Sequence, residues 1–206
     1  MSLNIAGVDV SRETMADLEA FSALVIKWNA KINLIARGTT ESIWDRHIVD
    51  SAQLYQFAPN GYQKWVDIGS GGGFPGIVMA IMGKSQQKGA NFVLIESDQR
   101  KAAFLRTVAR ELVLPVQVMA QRIESAEAQG ADVVSARALA PLSGLIPLVL
   151  RHLCADGTSL LHKGRQAGNE IADVKKIWLF DLEEYPSITD PEARILAIQR
   201  ITPIGA

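Results

Sequence analysis

The chain has 206 residues, 48% of them hydrophobic and 21% charged, with a formal net charge of −1. That is ordinary globular usage and excludes a disordered chain; a chain of this length makes one compact unit that buries roughly 70% of its unfolded surface. The single cysteine, Cys154, excludes a disulfide framework and a multi-thiolate metal site, and no metal centre is expected. It follows the largely apolar run 148–153 and reads as a buried, inert thiol. No charge-free apolar stretch is long enough to span a membrane. The start, MSLNIAGVDVSRE, has neither a basic end nor an apolar core, so no secretion signal is read and a cytoplasmic location is expected. Basic and acidic residues number 5 and 7 in residues 1–60, 8 and 6 in 61–130, and 8 and 9 in 131–206. Any nucleic-acid contact must therefore be a local patch.

In chain order, residues 11–30 predict an amphipathic helix, because Met15, Leu18, Phe21, Val25 and Trp28 recur at spacings of three and four. A second helix is expected from about 41 to 57, with Ile43, His47, Ser51 and Leu54 on one face, closed by Pro59-Asn60-Gly61. Residues 1–60 thus read as an all-helical extension. From 61 to 206 strand and helix alternate. Strands are expected at 65–68, 91–95, 116–119, 132–135 and 158–162, with helices at 75–83, 98–112 and 142–153, the last carrying Pro147. Alternation implies a parallel sheet covered on both faces. Two further strands, 178–185 and 194–202, predict an antiparallel C-terminal edge.

The densest signal is Asp67-Ile68-Gly69-Ser70-Gly71-Gly72-Gly73-Phe74-Pro75-Gly76, between the first strand and its helix. Glycines there let the chain turn sharply and let a ligand approach the backbone, at the strand ends where open α/β sheets bind ligands. A dinucleotide frame from Gly69 fails at Phe74. A late frame, Gly71–Gly73–Gly76, fits the spacing but contains Pro75. Alternatively the loop passes a nucleoside bearing an amino acid, with Asp67 meeting its ammonium group directly or through water, as S-adenosylmethionine would allow. A side chain added at Gly69 is then expected to enter the cofactor's space. Glu96 ends the next strand, where a carboxylate can accept both ribose hydroxyls; it supports a nucleoside without choosing one.

An ordered set of motifs goes further. Lys27-Trp28-Asn29, Asn33-Leu34, Arg46-His47-Ile48-Val49-Asp50-Ser51, the glycine loop, Glu96-Ser97 with Arg100-Lys101, Phe104-Leu105-Arg106, Ser135-Ala136-Arg137-Ala138 and His162-Lys163-Gly164 together resemble the glucose-inhibited division protein B family. These are the bacterial small-subunit rRNA guanine-N7 methyltransferases, and the resemblance covers about residues 20–205. It implies a class I, Rossmann-like methyltransferase fold, S-adenosylmethionine as methyl donor, and a guanine of 16S rRNA as acceptor. By position it implies cofactor contacts at Gly69, Phe74, Ile123, Glu124 and Arg137; the glycine loop and the acid one strand along add Gly71 and Glu96. Many members have Asp where this chain has Glu96.

Guanine N7 carries a lone pair and no proton, so attack on a sulfonium methyl needs orientation rather than a general base. Arg137 is the best candidate beside the chemistry; the structural alternative is an arginine that closes the sheet through a salt bridge, for instance with Asp132. Arg100, Lys101, Lys163, Arg165 and Arg200 are candidates for RNA phosphates; Arg100, Lys101, Arg106 and Arg110 read equally as a solvated helix face or as the positive patch that docks RNA. His47 reads as a satisfied, half-buried histidine and Trp28 as core. Two other functions compete: an NAD-type oxidoreductase using the late glycine frame, and a non-catalytic rRNA-binding assembly factor.

Overall fold

In the computed structural model, which describes residues 3–205, seven strands form one mixed sheet. Met1, Ser2 and Ala206, the outermost residues of the two expected segments, lie outside the described residues. A hairpin of β1 (Leu3–Ile5) and β2 (Val8–Val10) precedes α1 (Arg12–Asn29). The first segment is therefore not all-helical. The hairpin turns at Ala6-Gly7, both at positive φ. Ser11 caps α1 by accepting the Thr14 amide at 3.0 Å, and Leu18, Phe21 and Val25 point inward. Trp28 is only half-buried, packed on Phe104 with ring centres 5.6 Å apart.

The expected helix over 41–57 is also corrected. The stretch is a π-helical turn at Trp44–Val49, one α turn, α2 (Asp50–Ala52), and a 3₁₀ turn at Gln53–Phe57. The extra residue per turn shifts the inward face to Ile43, Ile48, Ser51 and Leu54 and frees His47 from it. Such π insertions are frequent at functional sites.

The sheet runs β5-β4-β3-β6-β7-β9-β8, where β3 is Lys64–Ile68, β4 Asn91–Ile95, β5 Val116–Met119, β6 Ala131–Arg137, β7 Leu153–Lys163, β8 Trp178–Pro186 and β9 Arg194–Pro203. The first five in that order are parallel; β9 runs antiparallel to both its neighbours, β7 and β8. The order reverses beside β3, which opens a crevice at the carboxyl ends of β3 and β6. The helices are α3 (Gly76–Gln86), α4 (Gln99–Glu111), α5 (Leu142–His152, with Pro147 inside) and α6 (Ala167–Val174). One apolar cluster joins α1, α3 and α4 to one face of the sheet. The other packs α5 and α6 on the opposite face. β7 begins at Leu153, earlier than expected, so Cys154 lies in a strand and is half-buried rather than buried. Among the described residues no helix is long and apolar enough to cross a membrane, and no group of His, Cys, Asp and Glu is placed to hold a metal.

Candidate functional site

Two cavities lie side by side at the carboxyl ends of the strands. The smaller, about 550 Å³, sits over β3 and β4 and is lined by Gly69, Gly71, Phe74, Glu96, Ile123 and Glu124 among others. The larger, about 780 Å³, sits over β6 and β7. They share His47, Arg137, Ala138, Leu139 and Ala140 as a common wall.

The glycine loop is closed by hydrogen bonds rather than by packing alone. The amides of Gly69 and Ser70 donate to Ile95 O at 2.9 and 3.2 Å, hooking the loop onto β4. Glu96, 8% exposed, takes the next amides: Gly71 N–H donates to Oε2 at 2.7 Å and Asp98 N–H to Oε1 at 2.8 Å. One carboxylate thus grips both the loop and the start of α4, and it retains lone pairs for a ligand. Gly69 (φ +68) and Gly71 (φ +54) adopt the left-handed region that L residues resist. A Cβ at Gly69 would meet Leu139 Cδ1 at 2.6 Å, so a side chain there runs first into Leu139 on the shared wall. At Gly72 a Cβ would meet Leu34 O at 2.9 Å. The 34–36 turn, which also lines the smaller cavity, is pinned by Asn29 Oδ1, which accepts the Leu34 and Ile35 amides at 2.8 and 3.0 Å.

Asp67 does not line either cavity. It is 1% exposed, behind the loop, and Oδ1 accepts from Ser135 Oγ at 2.7 Å; Ser135 Oγ in turn accepts from Trp65 Nε1 at 2.9 Å. Oδ2 makes no hydrogen bond of ordinary geometry, though the Gly76 amide faces the carboxyl from further off. Burial raises its pKa to about 6 against the pull of Ser135, Ser70 and Gly76. The expected direct contact between Asp67 and an ammonium group is therefore not available. The start of α3 packs on this carboxyl so closely that a Cβ at Gly76 would lie 2.7 Å from Oδ2, which accounts for glycine at that position.

Arg137 ends β6. It does not pair with Asp132, which sits five residues back at the opposite end of the strand and accepts the Gln63 and Lys64 amides at 2.7 and 2.9 Å. Its Nη1 donates to Asp50 Oδ2 at 2.9 Å and to Arg46 O at 3.1 Å. Its Nη2 lies 2.7 Å from His47 Nδ1. The guanidinium lies over the Phe74 ring at 5.3 Å, and His47 packs on the same ring at 5.0 Å. Burial and then Arg137 push the His47 pKa down to about 4. The ring is neutral at pH 7, with Nδ1 accepting from Arg137 and Nε2–H facing Thr39 Oγ1 at 3.0 Å. His47 is half-buried and satisfied at both nitrogens, as expected, yet it stands in the wall between the cavities.

Ile123 and Glu124 form a 3₁₀ turn at the edge of the smaller cavity. His152 Nε2 lies 3.1 Å from Ile123 O, and Arg151 donates from Nε and Nη2 to Ala126 O at 2.9 and 2.7 Å, so the end of α5 holds that turn.

The expected RNA contacts separate into groups. Lys101 lines the mouth of the smaller cavity, and Arg100 is exposed, 3.6 Å from Asp98. Lys163 lines the larger cavity but is 9% exposed, with Nζ 2.6 Å from Glu170 and 2.9 Å from Ala140 O; most of its donor capacity is spent inside. Arg165 is exposed and pairs with Glu192 at 3.0 Å. Arg200 does not belong with these. β9 runs antiparallel to β7, so Arg194 stands at the cavity end and Arg200 at the other, paired with Asp181. The sequence reading missed Leu34–Ala36, Asp50 and Leu139 as site residues. It also missed two cations, Arg46 on the larger cavity and Arg122 on the smaller, which carry no ion pair among the described residues.

Comparison places this arrangement among known proteins. The structure is similar to M. jannaschii TYW2 in complex with AdoMet (TM-score 0.58, 16% identity, covering 85% of this chain and 80% of that one). It is similar to the Bacillus cereus O-methyltransferase in complex with SAH (TM-score 0.58, 14% identity, 87% and 90%). The fold is that of a class I S-adenosylmethionine-dependent methyltransferase, with a mostly parallel sheet and an antiparallel edge. At the level of sequence, the family model for rRNA small subunit methyltransferase G matches residues 14–196. Proteins of that name from Cereibacter sphaeroides and Rhodospirillum centenum are 51% and 50% identical, over 96% of both chains in the first case and 97% of this chain and 90% of the relative in the second. The chain belongs to the rRNA small subunit methyltransferase G family.

Proposed function

We propose that this chain transfers a methyl group from S-adenosylmethionine to N7 of a guanine in 16S rRNA of the small ribosomal subunit, in the cytoplasm. The observation that carries the reading is the pair of adjoining cavities with Arg137 and His47 between them. The smaller cavity fits the cofactor. Its loop offers backbone in place of side chains, Glu96 keeps lone pairs for ribose hydroxyls, and the Ile123–Glu124 turn borders the place for an adenine. When bound, the cofactor supplies a methyl group on a positively charged sulfur.

The larger cavity takes the acceptor base. Arg137 has five N–H groups. Three are held by Asp50, Arg46 O and His47, which leaves Nε–H and one Nη2–H for ligands. A bond to guanine O6 orients the base and leaves N7 open. Wall residues exclude water and hold the reacting atoms in line, which is where most of the acceleration comes from. Arg46, Lys101 and Arg122, which line the two cavities and carry no ion pair among the described residues, serve the RNA backbone, with Arg100 at the periphery.

The test is single-turnover transfer from labelled S-adenosylmethionine to deproteinised small-subunit rRNA, with nucleosides analysed by mass spectrometry. The expected product is 7-methylguanosine, formed at a rate without a bell-shaped profile across about pH 6 to 9. Methyl on another atom, or affinity for NAD without affinity for S-adenosylhomocysteine, refutes the proposal.

A further inference from the structure

Asp50 follows the π turn directly, and its carboxylate ties separate parts of the chain together. Oδ2 accepts from Arg137 Nη1 at 2.9 Å, at the end of β6. Oδ1 accepts from Thr189 Oγ1 at 2.6 Å, in the β8–β9 connection, and from Gln53 Nε2 at 2.9 Å. The backbone oxygen of Asp50 accepts from His162 Nε2 at 2.8 Å, on β7. The side chain is 13% exposed. Burial alone pushes its pKa up, but His162, the Thr189 hydroxyl and the Arg137 guanidinium outweigh burial and hold the carboxyl below its usual value.

We propose that Asp50 is a positioning residue for methyl transfer: it fixes the Arg137 guanidinium in the wall between the cavities and ties that wall to the 187–189 turn beside the larger one. This rests on the reading that the two cavities hold cofactor and acceptor. An arginine side chain has many rotamers, and the other partners of this guanidinium, Arg46 O, His47 Nδ1 and the Phe74 ring, are all neutral. Asp50 is the charged partner that selects one orientation, and charge-assisted bonds are about twice as strong as neutral ones. Its other oxygen is held by Thr189, whose neighbours 190–193 also line the larger cavity. The carboxylate cannot swing with the arginine, and the arginine cannot turn without breaking the bond to the carboxylate.

Chemical rescue tests this directly. Arg137→Ala leaves a slot bounded by Asp50, Arg46 O and His47, and millimolar guanidinium, well below its denaturing range, is expected to enter it and restore transfer. In Arg137→Ala/Asp50→Asn that rescue is lost. Asp50→Asn alone is expected to lower single-turnover transfer by about 100-fold, the cost of a small misplacement, while affinity for S-adenosylhomocysteine changes far less. Thr189→Val, a milder change, is expected to lower transfer several-fold and to weaken the guanidinium rescue of Arg137→Ala; it decides the matter if Asp50→Asn does not fold. The Arg137 Nε–H NMR signal is expected to be sharp in the wild type and broadened in either variant, whatever the acceptor is. If wild type methylates no guanine N7, the proposed function falls and the NMR signal still decides the clamp. Wild-type transfer and a sharp signal in Asp50→Asn, equal rescue with and without Asp50, or no rescue of Arg137→Ala overturns the proposal.

Discussion

Replacing Glu96 by glutamine changes almost nothing in shape and one thing in chemistry. The carboxylate now accepts two backbone amides, Gly71 N–H on one oxygen and Asp98 N–H on the other, both shorter than 2.9 Å. A glutamine has one acceptor atom. Whichever amide keeps it, the other faces an NH₂ group, donor against donor. The loss is one charge-assisted bond of partly buried groups, worth about 2 kcal/mol. With cofactor left out, only contacts within the protein count, and the urea midpoint of Glu96→Gln is expected to fall by roughly 1 M. Titration with S-adenosylhomocysteine should show an additional loss, because a freed Gly71 no longer holds its turn and the ribose meets a weaker acceptor. If the midpoint is that of the wild type while cofactor affinity collapses, the carboxylate serves the ligand alone and the loop is closed by other means. If affinity is untouched, the nucleoside does not lie against Glu96.

Two further outcomes follow from charge. With three cations around the cavities that carry no ion pair among the described residues, binding to single-stranded rRNA should weaken with salt at a log–log slope of about −2, and a slope near that expected for ten phosphates would show a footprint well beyond these cavities. Asp67 is protonated more readily when folded, with its pKa raised from 3.8 to about 6 by burial, so its burial costs stability above that range and the cost disappears as the pH falls. Asp67→Asn carries no such cost, so from pH 7.5 to 4.5 wild type should gain about 2 kcal/mol relative to it in urea unfolding, and parallel curves would refute an ionised, buried Asp67.

The sheet was legible because its strands are short apolar runs between turn residues, as in Asn91–Ile95, and local sequence specifies them. The glycine loop was legible for the same reason: its demands on φ are met within ten residues. Fine position was not. Periodicity assigned His47 to an α-helical face with Ile43 and Ser51, but a π turn carries no signature in hydrophobic spacing, and the extra residue turned His47 to the cavity wall. Asp132 looked like a partner for Arg137 because the two are near in sequence, whereas five residues along a strand separate them by about 17 Å. The actual partner, Asp50, lies 87 residues away and meets Arg137 only through the fold. Arg200 shared a charge with the RNA candidates, but the direction of β9 carries it to the far end of the sheet.

These partners also explain why the site suits an acceptor that brings its own lone pair. The titratable groups in and around the shared wall are held by partners within the protein. Arg137 occupies Nδ1 of His47, and Thr39 faces the other ring nitrogen. Glu96 accepts two amides, Asp50 is held by Arg137 and Thr189, and Asp67 is sealed behind the loop. His162, buried with its pKa lowered, donates from Nε2 to a backbone oxygen. A hydroxyl or an exocyclic amine, which must lose a proton during or after methylation, would find no available base in this wall. Guanine N7 loses none. The bonds that remove these side chains from proton transfer are the ones that hold Arg137 and the loop rigid, so the same hydrogen bonds that give the site its order also narrow the chemistry it can perform.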